Sequence, residues 1–379
     1  MQASSTKKQN FLKRTWNFLV RVDVASVLIV ALLLLAVVGS CFPQRPPEVI
    51  TNPASMAHWE AGILDRYGPL AKTLTSLGVF HFSETPVFIA CLALLGMITL
   101  FCLLDRWQAI WRKAFQKEVQ RPEVVFQAAP YTACLTIPPG NDFSQTLQEN
   151  LGQRGFRLKF EHTNDTTHFR ADRYRLSVLA TLVSHLGLVL LLAGAIISRV
   201  FSWREVVTLP PGEVGARPLV AIAHRRNISL QNEGFTIEHY PNGSASGYEA
   251  NIKIRDSNLE ESQGKIRINE PLTYAGVSFY LQGFTRTEAG DTITLLAEHD
   301  PGYAPIILAW FLLLLGISVT FNFPYSVIYG RIELGNQLRL AGSAERWASD
   351  FETEFDALVE RFQQRLGQSP GGGEQVCRT

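Results

Sequence analysis

Cysteine is scarce in this chain. Five occur in 379 residues: Cys41, Cys91, Cys102, Cys134 and Cys377. None lies between 199 and 304, so no disulfide framework staples that stretch. There is no C-x-x-C, which argues against a thioredoxin-like redox role. No nucleotide-binding loop, H-E-x-x-H or G-x-S-x-G is present either. The formal net charge of +1 leaves no electrostatic footprint for nucleic acid. Charge of either sign is missing altogether from four long apolar blocks, and these set the fold class.

The blocks are 24–42, 86–104, 176–198 and 305–323. Crossing a hydrocarbon core takes about 20 helical residues. Backbone polar groups in lipid must bond internally, so each block is expected to be a helix. The first is read as a retained span and not a cleaved signal, because it is long for an h-region and CFPQRPP follows it.

Basic residues set the expected orientation. Lys7, Lys8, Lys13, Arg14 and Arg21 precede the first span with no acid before Asp23. Arg106, Arg112, Lys113, Lys117 and Arg121 follow the second, and Arg170, Arg173 and Arg175 enter the third. The loop 43–85 holds only Arg45, Arg66 and Lys72. The positive-inside rule then puts 1–23, 105–175 and 324–379 in the cytoplasm, with 43–85 and 199–304 outside. The expected fold is a membrane protein of four transmembrane α-helices. It carries a large extracytoplasmic antiparallel β domain and a small cytoplasmic α+β segment.

Local patterns fill in this frame. Residues 10–22 predict a short basic amphipathic helix, and 55–77 predict helix. Within 122–172 the order reads β-α-β-β. Between 203 and 300, short β-rich runs alternate with the turn signals PPGE, PNGS and EAGD, which predicts a sandwich or partly open barrel. In the tail, Trp347, Phe351, Phe355, Leu358, Phe362 and Leu366 share one helical face. Six acids against three bases in that helix predict a protein surface as its dock, not anionic lipid.

Two histidines are candidates for chemistry. His185 lies inside the third block, about 3 Å to the cytoplasmic side of its midpoint at 1.5 Å per residue. Ser177, Ala180, Ser184, Gly187, Gly194 and Ser198 form a small-residue face that lets another helix approach closely. His185 flanks that face, about 100° around from Ser184. The plainer reading is an interhelical hydrogen bond, to a carbonyl or hydroxyl; an intramembrane ionisable group is otherwise a functional candidate by default. His81, in GVFHFSETP just before the second span, sits at the outer interface, where a polar residue is ordinary. His58, His162, His168, His224, His239 and His299 lie in polar loops or strands and read as surface residues. Cys91 and Cys102 read as soft apolar packing. In GKIRINEPLTYAGVSFYLQGF, Val277, Phe279 and Leu281 alternate inward and Ser278, Tyr280 and Gln282 outward, a structural motif that names no chemistry.

These pieces, in this order, resemble the ResB family of cytochrome c biogenesis proteins of the system II pathway. The resemblance is carried by VGSCFPQ at the end of the first span and by SLGVFHFSETPVF through LFCLLDRW, with Asp105 and Arg106, around the second. It continues through ADRYRL and SHLGLVLLLAGAI at the third, then INEPLTYAGVSFY with Asn269, Pro271, Tyr274, Gly276 and Tyr280. DPGYAP and LAGSAERWASDFETEF complete it. Leu281 stands where many relatives have Gln, and the Tyr-x-Ser usual near GYEANI is absent.

The resemblance implies a subunit that works beside a ResC/CcsA-type membrane protein carrying a WWD segment, which this chain lacks. It implies haem moved to the outer face and positioned for attachment to the C-x-x-C-H of apocytochrome c, with thiol-reducing proteins as further partners. It makes His185, ahead of His81, a candidate haem ligand or the holder of a ligand helix, within a bis-imidazole site shared between subunits, and the chain a non-catalytic haem-handling subunit in the plasma (inner) membrane. The alternative is a membrane-anchored scaffold or sensor whose β domain binds a protein and which ligates no haem. A transporter in the strict sense would want paired broken helices at the midplane, which this sequence does not offer.

A reporter fused at Gly243 tests the topology. Extracytoplasmic activity is expected; a cytoplasmic signal would overturn the assigned sidedness.

Overall fold

The computed structural model describes residues 16, 18, 20–46, 49, 53–115, 118–138, 143–163, 166–211, 220–225, 227–256, 261–288, 290–333 and 336–366. The basic helix expected over 10–22 falls largely outside the described residues. The chain forms two compact units, Met1–Val189 with Ala309–Thr379, and Leu190–Leu308.

The elements of the first unit begin with helix α1 (Val22–Ser40), the first span. Helices α2 (Pro53–Tyr67) and α3 (Leu70–Ser76) follow. The helix expected over 55–77 is thus split where Gly68 takes φ 54° ahead of Pro69. A 3-10 turn, Val79–Glu84, leads to α4 (Pro86–Phe115), which begins with the Thr85 hydroxyl accepting from the Phe88 N–H at 3.3 Å and proline at its first position. Then come α5 (Glu123–Ala128), β1 (Tyr131–Thr136), α6 (Phe143–Gly152), β2 (Arg157–Thr163), β3 (Thr166–Arg173) and the third span, α7 (Ala180–Phe201).

The second unit contributes β4 (Trp203–Leu209), β5 (Val220–Ala221), β6 (Ile228–His239), β7 (Ala245–Asp256), β8 (Glu261–Arg267), β9 (Leu272–Tyr274), β10 (Val277–Thr287) and β11 (Gly290–His299). Helix α8 (Tyr303–Asn322), the fourth span, returns the chain to the first unit, where β12 (Ser326–Glu333), β13 (Gln337–Ala344) and α9 (Phe351–Arg365) complete it. All four span helices are long and apolar enough to cross a membrane. Outward residues such as Val30, Leu33, Leu34, Phe311 and Leu314 are exposed, as lipid contact requires.

The expected β-α-β-β segment is present but incomplete on its own. Its strands join β12 and β13 in one antiparallel five-stranded sheet, ordered β1-β13-β12-β3-β2. The tail after the fourth span, expected to carry an amphipathic helix, therefore also carries two central strands. The sheet buries both faces. On one, Leu135, Phe169, Ile328, Leu338 and Leu340 pack with α6 and α9. On the other, Val327, Tyr329 and Ala341 pack with Phe126 of α5 and Val178. The dock of α9 is thus this chain's own sheet: Phe351, Phe355, Leu358 and Phe362 are buried there, and Glu354 takes a bidentate ion pair from Arg173 at 2.9 and 2.7 Å. Trp347 departs from the expected face. It precedes the helix, is 54 % exposed and lies 5.0 Å from the Phe321 ring.

Small residues let α7 and α8 touch. In the first unit, a Cβ at Gly316 would strike Ser184, and one at Gly187 would lie 3.0 Å from the Leu313 backbone N. In the second unit, a Cβ at Gly302 would strike Gly194 and Ser198. The Asp300 carboxylate accepts from the Gly302 N–H at 2.9 Å and from the Ser198 hydroxyl, tying the entry of α8 to α7.

The second unit is the predicted sandwich. Sheets β4-β11-β10-β9 and β5-β6-β7-β8 enclose one core of Val207, Leu209, Phe279, Ile293 and Leu295 against Ile228, Leu230, Ile252, Ile254 and Ile266. Val277 and Phe279 are buried and Tyr280 is exposed, as the alternation predicted.

Phe355 is 2 % exposed, so Phe355→Ala should cost about 3–5 kcal/mol. Protease resistance of the full chain checks this, and an unchanged melting transition would contradict the α9 dock.

Candidate functional site

His81 is positioned more firmly than its sequence context implied. It sits in the 3-10 turn with a non-helical backbone, φ −150° and ψ 44°, between two anchored phenylalanines. Phe80 is fully buried against Phe42, Trp59 and Tyr67, with ring centroids 6.1, 5.7 and 5.5 Å away. The Phe82 ring occupies the space a Cβ would take at Gly39 near the end of α1. The backbone is clamped as well. The Gln44 amide donates to the carbonyls of Gly39 at 2.8 Å and Val79 at 2.9 Å. Arg45 donates its backbone N–H to the Phe80 carbonyl at 2.9 Å and pairs with Glu84 at 3.1 Å. The VGSCFPQ ending of the first span thus holds, through Gly39 and Gln44, the loop that carries His81. The imidazole is half-buried, and among the described residues neither ring nitrogen makes a hydrogen bond.

His185 is half-buried on α7, and its Nδ1–H donates to the Thr181 carbonyl, one turn back, at 2.7 Å. That bond meets the polar demand from within the helix. It also fixes the tautomer, leaving Nε2 with a lone pair and, among the described residues, no hydrogen-bond partner. A backbone carbonyl on the second ring N–H is the usual arrangement behind a metal-ligating imidazole. The donor chemistry at both histidines therefore fits an iron porphyrin. No hydrogen bond or ring contact joins His81 to His185 among the described residues.

Several of the other motif residues make local structural contacts. Asp105 accepts from the Trp16 indole N–H at 3.3 Å, while the Trp16 and Phe101 rings lie 5.1 Å apart, so this part of α4 holds the segment entering α1. Cys102 donates to the Val20 carbonyl at 3.5 Å in the same contact. Arg106 is exposed. Asn269 takes φ 64° in a tight turn that Arg267 and Glu270 close with reciprocal backbone bonds of 3.1 Å; Pro271 then leads into β9. Tyr274 pairs with Val277 across the two-residue turn Ala275–Gly276, at φ 49° and 77°. Both left-handed positions fit a type I′ hairpin, which explains the glycine.

That hairpin reveals a cluster the sequence reading missed. His299 Nδ1–H donates to the Gly276 carbonyl at 2.6 Å, and Arg225 donates to the Ala275 carbonyl at 2.8 Å. The Trp203 ring stacks on His224 at 4.8 Å and 4°, and lies 5.9 Å from the His299 ring. His224 donates to Glu205 at 3.0 Å. Burial alone would raise the Glu205 carboxyl, but N–H donors from Ala223 and His224 hold it below the usual range. Trp203 and His299 face each other in the β4–β11 register, 96 residues apart in sequence, which is why spacing did not reveal them. His168, read as a surface residue, is buried, and burial lowers its pKa.

The ResB-like family profile matches residues 22–297. The cytochrome c biogenesis protein CcsB of Synechococcus sp. (strain JA-3-3Ab) is 26% identical over 285 residues, covering 73% of this chain and 55% of that protein. The cytochrome c biogenesis protein ResB of Bacillus subtilis (strain 168) is 23% identical over 326 residues, covering 78% of this chain and 58% of that one. The chain spans little more than half the length of these relatives. Among solved structures, a cytochrome c haem lyase CcmF aligns with a TM-score of 0.32 at 12% identity over 69% of this chain and 44% of that one, too weak a likeness to argue from. The profile, by contrast, takes in well over half of the chain, from the start of α1 to β11: the protein belongs to the ResB-like family.

Proposed function

We propose that this chain is a non-catalytic haem-handling subunit of the membrane machinery that matures c-type cytochromes. It helps export haem and positions it for attachment to the C-x-x-C-H motif of apocytochrome c, beside a ResC/CcsA-type protein that carries the WWD segment. Thiol-reducing proteins keep the acceptor cysteines available. The names of the relatives, cytochrome c biogenesis proteins, support the pathway. The sidedness follows the lysine and arginine pattern: 1–23, 105–175 and 324–379 lie in the cytoplasm, and 43–85 and 199–304 lie outside.

Haem is cargo in this reading, and its iron takes neutral imidazole nitrogen as an axial ligand. His81 and His185 are the residues that offer it. The observation that carries the proposal is the clamp on His81: a loop held by Gln44, Arg45, Phe80 and Phe82 presents an imidazole with no hydrogen-bond partner among the described residues. A packing histidine would not need its backbone tied so firmly. On α7, Thr181 orients His185 and leaves Nε2 as the open nitrogen. Gln44 is a positioning residue.

The test compares His81→Ala, His185→Ala and Gln44→Ala in the complex purified with its partner. All three should insert; His185→Ala makes its span more apolar. Each histidine variant should lower bound haem and mature cytochrome c, with partial rescue by added imidazole. Gln44→Ala should weaken haem retention about tenfold, a typical loss when a ligand's support is removed. If both histidine variants assemble normally and mature cytochrome c at the parental level, the chain is instead a scaffold without haem ligation.

A further inference from the structure

Beyond the end of the second span lies a cavity of about 440 Å³ with an unusual concentration of positive charge. Arg112 and Lys113 enter it from α4, Arg121 from the following segment and Arg170 from β3, with Tyr325 and Tyr329 beside them. Glu345 is the acid in the lining, and it pairs with Lys113. Arg121 pairs with Glu118 at 3.2 Å, and Arg170 lies 3.4 Å from Asp172. Arg112 donates to the Gln108 amide oxygen at 3.4 Å and, among the described residues, pairs with no acid. Among the described residues, the four cations of the lining meet three acids, Glu345, Glu118 and Asp172.

The cavity is built, not incidental. Arg170 is 2 % exposed and donates to the Tyr325 hydroxyl at 3.2 Å. Arg121 donates to the Tyr329 hydroxyl at 3.2 Å and stacks over its ring at 5.1 Å. Lys113 stands 5.0 Å over the Tyr325 ring. Burial pushes the Tyr325 phenol up to about 12, so its hydroxyl stays protonated. Fixed cations of this kind suit an oxyanion.

The neighbouring surface identifies where that oxyanion comes from. Helix α4 has 30 residues, about 45 Å, against a hydrocarbon core of about 30 Å. Its last turns therefore lie at the level of lipid headgroups. There Trp107, Trp111 and Phe115 form an exposed ladder, with centroids 5.5 and 4.4 Å apart, on the helix that supplies Arg112 and Lys113. Exposed tryptophan beside arginine and lysine is the signature of an interfacial anchor.

We propose that this cavity binds the phosphate headgroup of an anionic phospholipid, with the aromatic ladder anchoring the helix at the same interfacial level. The site is separate from haem handling, and its failure would leave that reading intact. The full chain, purified with its partner in a zwitterionic detergent, is titrated with phosphatidylglycerol, with phosphatidylcholine and with inorganic phosphate, and the melting temperature gives apparent affinities. Phosphatidylglycerol should stabilise the parent and phosphatidylcholine should not. Arg112→Gln with Arg121→Gln should weaken phosphatidylglycerol binding roughly 30-fold for two lost charges. The paired lysine substitutions, Arg112→Lys with Arg121→Lys, should retain most of it, which separates lost charge from lost folding. Equal stabilisation by phosphatidylcholine, or an unchanged response in the glutamine variant, overturns the proposal. Saturation by inorganic phosphate alone overturns the lipid assignment.

Discussion

The pairing of β3 with β12 is the constraint on which the rest of the molecule depends. The chain leaves the five-stranded sheet at Arg173 and re-enters it at Ser326, and these two residues are register partners. Antiparallel partners sit about 5 Å apart. The start of α7 and the end of α8 are thus fixed side by side, so the two spans must run as an antiparallel pair. Two helices that close need small side chains between them. Ser184 and Gly187 meet Ala309, Leu313 and Gly316, and Gly194 and Ser198 meet Gly302 and Ile306. The same pairing makes the segment before α7 and the tail after α8 a single folded body, locked by α9 and the Arg173–Glu354 ion pair.

That dependence explains what could be read from the residues alone. The spans were legible because excluding charge over some 20 residues is a local signal. The β sandwich was legible because its strands alternate and its turns carry Gly, Pro and Asn. Strands β12 and β13 pair with each other, yet they were not seen, because GRIELGNQLRL reads as polar and their outer partners lie far away: β12 on β3, and β13 on β1, some two hundred residues earlier. The apolar face of the tail helix was correctly read, and its dock was expected only as some protein surface. Amphipathicity says that a face will be buried, not against what.

The candidate site divides the same way. His185 stood out because an imidazole in an uncharged helix is rare, and the structure adds the Thr181 carbonyl that fixes its tautomer. The small-residue face beside it is taken up by α8. His81 gained weight only in three dimensions, through Gln44 reaching 35 residues ahead to Val79 and Phe82 filling the space above Gly39. The Trp203, His224 and His299 cluster is likewise a product of strand register and not of spacing.

The proposed haem handling depends on an imidazole from the clamped loop reaching haem iron. The most direct test is the near-infrared magnetic circular dichroism of the ferric complex, because its charge-transfer band reports the axial pair. A nitrogen-ligated low-spin band is expected in the parent protein. That band should move to the imidazole–thioether position when His81→Met places sulfur on the same loop. Identical spectra from the two proteins, at equal haem content, would contradict it.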